Sequence, residues 1–200
     1  QALRNMRRCK AALAREIDYL LVTAKDWAQW DDMYRYVQDR NKEFEQANLL
    51  FKALKDTRIA VFYIYDKSGQ KMWSAAYDLD EDQAWSLMDF ERNPLEKASP
   101  LTAGNAEGLL TGLLMTEHGP LLAASCSILT SDGKGPAQGS LIMGRFFDEK
   151  AISSMAERLS MVLRVWPAQD AKIPADLEQD LSRLPNREEI ILKSKDEQTL

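Results

Sequence analysis

The chain has 200 residues, of which 45% are hydrophobic and 28% charged, so it can bury a sizeable core and is neither disordered nor collagen-like. Its net charge of −5 gives no general electrostatic reason to bind nucleic acid or anionic lipid. The longest apolar run falls far short of the roughly 18 residues that mark a membrane span.

Residues 1–56 read as helix almost throughout, with no Gly or Pro before Gly69. Leu3, Lys10, Ile17 and Ala24 fall at one position of a heptad seam, and Met6, Leu13, Leu20 and Trp27 at the other. The seam suits a helix lying on its own sheet and equally a parallel helix pair in a homodimer, although Lys10 and Ala24 weaken a coiled coil. A bend is expected near Asn41 to Phe44. Residues 58–66 and 70–78 then form a hairpin around Asp66-Lys67-Ser68-Gly69. A short acidic helix is predicted over 81–91, a Pro-containing loop to Ser99, and another short helix over 105–115. Strands follow over 119–130 and 137–147, then a helix over 148–158, a strand over 160–166 and a last strand over 189–193. Hairpins dominate and no glycine-rich βαβ repeat occurs. The fold class is therefore α+β, a long N-terminal helix on an antiparallel sheet of about five strands with short flanking helices.

No catalytic or cofactor set is found. His118, Cys9 and Cys126 cannot complete a tetrahedral zinc site or a disulfide framework, and both cysteines are expected to be reduced. Asp31 and Asp32 point about 100° apart on a helix and do not converge on one substrate. There is no G-x-S-x-G elbow and no phosphate-binding loop. Trp27, Trp30, Asp31 and Tyr34, at i, i+3, i+4 and i+7, share one helical face suited to a small-ligand pocket, with rings as walls and a carboxylate as anchor. Core packing accounts for the same pattern. Tyr63, Trp73, Ser125 and Ser127 add polar atoms to an apolar sheet, and period two places Ser125 and Ser127 opposite Cys126. Gly144 within a strand signals a close backbone approach. Arg145 can hold a ligand carboxylate or phosphate, or clamp a helix carboxylate such as Asp31.

The stretch Asp26-Trp27-Ala28-x-Trp30-Asp31-Asp32-x-Tyr34-x-Tyr36-Val37 resembles the opening motif of the fourth class of CHASE-type sensory domains. The resemblance continues through Asn48-Leu49 and Val61-x-Tyr63-x-Tyr65-Asp66-x-x-Gly69. It returns in Ile128-Leu129-x-Ser131-Asp132-Gly133-x-Gly135-Pro136-x-x-Gly139-x-Leu141-Ile142-Met143-Gly144-Arg145 and spans roughly residues 15–166. It implies a PAS-like, Cache-type sensor on the outer side of a bacterial or archaeal cytoplasmic membrane. Such a domain lies between two membrane helices, upstream of a diguanylate cyclase, a cyclic-di-GMP phosphodiesterase or a histidine kinase. Gln1 in place of Met agrees with a domain taken from within a longer product. The expected organisation is a helical segment over 1–56, a sensor core over 57–168 and an extension over 169–200 that ends short of the second membrane helix. The expected partners are an unidentified small molecule and a second copy, through the N-terminal helix. The rival reading is a structural or protein-interaction module without a small-molecule ligand.

Overall fold

A computed structural model describes residues 2–87 and 109–165. The expected 81–91 helix beyond Leu87, the following loop, the tail and the 189–193 strand lie outside the described residues. Two compact units divide the chain: residues 1–14 with 149–200, and residues 15–148.

Helix α1 runs over Ala2–Ala28 and passes through both units. It is built from Ala, Leu, Arg, Lys and Glu with no breaker, the composition that helix propensity favours. In the first unit, Met6 and Leu13 are half-buried. Helix α5, Glu149–Leu159, buries Met155 and Leu159 there. Arg8 Nη2 donates to the Leu159 carbonyl at 2.7 Å, and Cys9 Sγ lies 3.3 Å from Met161 Sδ. Ser160 to Val165 carry no strand, so the strand expected over 160–166 is absent among the described residues. Ser160 takes a left-handed conformation (φ 52°), which ends α5 and turns the chain.

In the second unit, the continuing seam is consumed by the protein itself. Leu20, Ala24 and Ala28 are fully buried, whereas Tyr19 and Val22 face outward. The helix does not continue to residue 56. It stops at Ala28, Trp30 is extended (φ −126°, ψ 127°), and α2 begins at Asp31 and runs to Asp39. Asp31 and Asp32 occupy the first turn of α2, where carboxylates meet the positive end of the helix dipole. Arg40, at φ 57°, ends α2 in a left-handed cap with its N–H on the Tyr36 carbonyl. The expected bend follows: the Asn41 side chain caps α3, Lys42–Asn48, by accepting from Glu43 N at 2.8 Å. Helix α4 is Phe51–Asp56.

The sheet is antiparallel with six strands: β1 (Val61–Asp66), β2 (Lys71–Asp78), β3 (Gln83–Ala84), β4 (Leu109–Thr116), β5 (Gly119–Ser127) and β6 (Gly139–Phe146). Their order is β3-β2-β1-β6-β5-β4. The β1–β2 turn forms as its sequence dictates. Asp66 Oδ1 accepts from Ser68 N, Ser68 Oγ and Gln70 N, and Gly69 supplies the positive φ. Two helices of the sequence reading are corrected. Residues 81–87 hold a turn and the short β3, because Gln83 and Ala84 pair with Asp78 and Tyr77. Residues 109–115 belong to β4, which pairs with β5 over its whole length. Among the described residues the sheet thus has six strands where about five were expected.

Register divides the sheet into two faces. Face A carries Val61, Tyr63 and Tyr65 of β1, Ser140 and Ile142 of β6, and Ala123, Ser125 and Ser127 of β5. Leu87, Leu121 and Ala76 complete a core cluster with its apolar members. Face B carries Phe62 and Ile64, Leu141, Met143 and Arg145, Leu122, Ala124 and Cys126. Trp27 of α1 packs edge-on to Phe62 with ring centroids 5.3 Å apart, so the helical layer covers face B.

Candidate functional site

The nine predicted site residues do not form one pocket, because the sheet separates them. Trp27 and Trp73 both pack edge-on against Phe62 on face B, at 5.3 and 5.7 Å between centroids. Trp30 meets Trp27 edge-on at 6.0 Å and leans on Phe44 at 5.4 Å. Phe44 in turn stacks on Tyr36 at 4.9 Å. A continuous run of rings thus reaches from the sheet to α3.

The break at Trp30 removes the single helical stripe proposed for Trp27, Trp30, Asp31 and Tyr34. Asp31 and Tyr34 instead tie down the loop between β5 and β6. Asp31 Oδ1 accepts from Ser131 N at 2.8 Å, and Asp31 N donates to Ser131 Oγ at 3.0 Å. Tyr34 OH donates to the Pro136 carbonyl and accepts from Gln138 Nε2, each at 3.3 Å. Leu129 N closes on the Ala28 carbonyl at 3.0 Å. The loop is pre-shaped: Asp132 Oδ1 accepts from Thr130 Oγ1 and Lys134 N, and Gly133 and Gly135 have positive φ.

Arg145 clamps a helix carboxylate, though Glu16 rather than Asp31. Its Nη1 lies 3.4 Å from Glu16 Oε2, while Nη2 and Nε donate to the carbonyls of Thr57 and Arg58 at 3.0 and 3.1 Å. Its guanidinium carbon sits 5.6 Å from the Tyr19 ring. Burial pushes the guanidinium pKa down, and the Glu16 carboxylate opposes that shift. The arrangement binds α1 to β6 and to the end of α4.

Tyr63, Ser125 and Ser127 remain together on face A. Tyr63, Ile142 and Ser125 form one cross-strand row, and Tyr65, Ser140 and Ser127 form the next. Neighbouring strands stand about 4.8 Å apart, so five hydroxyl-bearing side chains occupy one small patch. The Tyr63 and Tyr65 rings stack at 6.1 Å, and Lys71 Nζ lies 6.0 Å from the Tyr63 ring. Ser125 is buried. The Ser140 Oγ is buried without a hydrogen-bond partner among the described residues, an arrangement that costs free energy unless something else satisfies it. The sequence reading missed Ser140. Its signal was period two in β6, which places it beside Ile142 and across from Ser127. Burial pushes the Cys126 thiol on the opposite face up to about 12, so it is an inert core group. Among the described residues no cluster of His, Cys, Asp or Glu is placed to hold a metal ion.

The CHASE4 domain model matches residues 12–165. The chain belongs to the CHASE4 domain family. Its long N-terminal helix and six-stranded antiparallel sheet match the fold of the solved neighbours described next. It is 30% identical over 154 residues to the methanogenesis regulatory histidine kinase FilI of Methanothrix harundinacea, covering 76% of this chain and 17% of that protein. The chain therefore spans under a fifth of the length of this relative. Solved structures share the fold. A domain of a protein assigned to the sensory box/GGDEF family of Vibrio parahaemolyticus has a TM-score of 0.55 at 16% identity, covering 77% of this chain and 62% of that one. The extracellular domain of a protein assigned as a histidine kinase has 0.56 at 16%, covering 77% and 58%. The periplasmic domain of LuxQ from Vibrio cholerae has 0.52 at 9%, covering 80% and 71%. Two of these neighbours are thus an extracellular and a periplasmic domain of their own proteins, and no described helix of the CHASE4 domain is long and apolar enough to cross a membrane.

Proposed function

We propose that this CHASE4 domain is the extracytoplasmic ligand-sensing part of a membrane receptor. Its output module is a histidine kinase, or a diguanylate cyclase or phosphodiesterase. The ligand is a small polar molecule held on face A by Ser125, Ser127, Ser140 and Tyr63. The observation that carries this reading is the buried, unpartnered Ser140 hydroxyl among other hydroxyls. Family membership supports the receptor context.

Relay follows from connectivity. Ser140 and Ile142 on face A and Arg145 on face B belong to the same strand, and Arg145 grips Glu16 of α1. A ligand that binds one arrangement of β6 better than another shifts the α1 position by that difference in affinity. Two copies then associate through the outer side of α1, where Tyr19 and Val22 are exposed, since Leu20 and Ala24 are already buried in their own protein.

Thermal-shift screening of amino acids, carboxylates and polyamines, on the wild type and on Ser140→Ala, tests the ligand site. Among the described residues Ser140 makes no side-chain hydrogen bond for Ser140→Ala to lose, and the substitution is expected to change stability by less than about 0.5 kcal/mol. It is expected to abolish or sharply reduce the shift given by the ligand. A compound that stabilises both proteins equally contradicts the face A site. A panel that stabilises neither favours the interaction-module reading.

A further inference from the structure

Helix α1 opens on a strongly basic stretch. Residues 1–15 carry Arg4, Arg7, Arg8, Lys10 and Arg15 and no acidic residue, although the whole chain has a net charge of −5. Acidic residues begin only at Glu16 and Asp18. Positive charge is therefore segregated at the start of the chain. Within the unit of residues 1–14 and 149–200, the side chains of Arg4, Arg7, Arg8 and Lys10 are exposed, while Met6, Cys9 and Leu13 are half-buried. Among the described residues Arg7 and Lys10 have no ion-pair partner.

The same unit leaves an apolar segment uncovered. Helix α5 ends at Leu159, whose carbonyl accepts from Arg8 Nη2 at 2.7 Å, and Met161 Sδ lies 3.3 Å from Cys9 Sγ. These contacts bring the start of Met161-Val162-Leu163-Arg164-Val165 to the basic turns of α1. The segment has the composition of a strand, forms neither strand nor helix, and fully buries none of its four apolar side chains. Val162 is 87% and Val165 39% exposed, and Met161 and Leu163 are half-buried. An isolated exposed valine needs no explanation, but a run of apolar residues left this open marks a surface that meets an apolar partner.

The two features together select that partner. A polyanion such as a nucleic acid pairs with the arginines and makes no use of Val162. An apolar protein surface covers Val162 and leaves the cations of α1 without counter-charge. A bilayer with anionic headgroups satisfies both. Its phosphates pair with Arg and Lys, whose alkyl stems lie along the interface, and the valines enter the boundary of the acyl region. We propose that the basic face of α1 and the Met161–Val165 segment form a docking surface for a bilayer containing anionic phospholipid. The surface shares no residue with the hydroxyl patch on face A and does not depend on a ligand there.

The test is co-sedimentation of the 200-residue protein with two kinds of vesicle, phosphatidylcholine alone and phosphatidylcholine with an equal amount of phosphatidylglycerol. Binding is measured at low salt and at about 0.3 M sodium chloride, where exposed charges are largely screened. The charge variant combines Arg7→Glu with Lys10→Glu, and the apolar variant is Val162→Asp. All three positions are exposed, so both variants are expected to melt with the wild type. The wild type is expected to bind the phosphatidylglycerol vesicles at least tenfold more strongly than the neutral ones, and less strongly at the higher salt. The charge variant is expected to lose at least tenfold in affinity and Val162→Asp at least threefold. No binding to either vesicle overturns the proposal, as does equal binding to both or undiminished binding by the charge variant. Vesicle binding that Val162→Asp leaves untouched, or that a DNA duplex matches at the same salt, shows a general polyanion contact and overturns it as well.

Discussion

Close approach decides both glycines of β6, by backbone at Gly139 and by a side chain at Gly144. A Cβ at Gly139 would stand 2.0 Å from the Tyr65 carbonyl oxygen, a backbone atom that cannot move without breaking the β1–β6 pairing. At Gly144 the nearest atom is Leu121 Cδ1, 2.9 Å away at the end of a side chain that can rotate. Gly139→Ala is therefore expected to cost about 3 kcal/mol or more, and Gly144→Ala about 1–2, by urea denaturation. Equal costs would show that the strands slide apart freely. Asp66 gives a pH signature. Burial raises its carboxyl pKa, but hydrogen bonds from Ser68 and Gln70, with the Arg40 charge, outweigh that and hold it below the ordinary carboxylate value. A depressed folded pKa contributes stability that is complete above the unfolded value near 3.9 and is lost as pH falls through the folded value. The stability gap between wild type and Asp66→Asn should be steady from about pH 7 to 5 and close below about pH 4. A gap that persists into acid contradicts the assignment. The Asp66 turn was legible because its residues act locally. Ser140 was not, because an unmet hydroxyl shows only once three strands are in register.

Elements were legible where local chemistry and tertiary packing agree. The β1–β2 hairpin and the β5 and β6 strands are rich in alternation, β-branched residues or punctuating glycines, and they form where their sequence places them. Leu109 to Thr116 contains no β-branched residue except Thr, and its leucines at 109, 110, 113 and 114 mimic a helical stripe. Pairing with β5 overrides that weak preference. The α1 break was hidden for the opposite reason, since no Gly or Pro marks it. Its visible signal was Asp31-Asp32, an acidic helix start in the middle of an otherwise continuous pattern. The seam of α1 likewise reads as continuous but serves two roles. Leu20→Ala should destabilise the protein by about 2–4 kcal/mol, because Leu20 is 1% exposed. Val22→Glu, at a position 59% exposed, should leave the denaturation midpoint within about 0.5 kcal/mol and shift sedimentation toward monomer. A self-association that survives Val22→Glu removes the outer side of α1 as the contact.

At the scale of the whole molecule, the sheet acts as a partition. One face is sealed by the aromatic run of α1 to α3 and by the Arg145 clamp, and the other keeps its hydroxyls close together in two neighbouring cross-strand rows. The family resemblance was readable because its motifs mark the structural joints: Asp31 and Tyr34 against the β5–β6 loop, Asp66 in its turn, Gly139 and Gly144 in their close approaches. These residues hold the scaffold, which is why they pointed to a fold more surely than to a ligand. The most direct test of sensing is amide chemical-shift mapping of the isotope-labelled domain against pooled amino acids, carboxylates and amines. The account predicts saturable shifts centred on Tyr63, Tyr65, Ser125, Ser127 and Ser140, with weaker ones along β6 to Arg145. Shifts from every pool that leave that face untouched would contradict it.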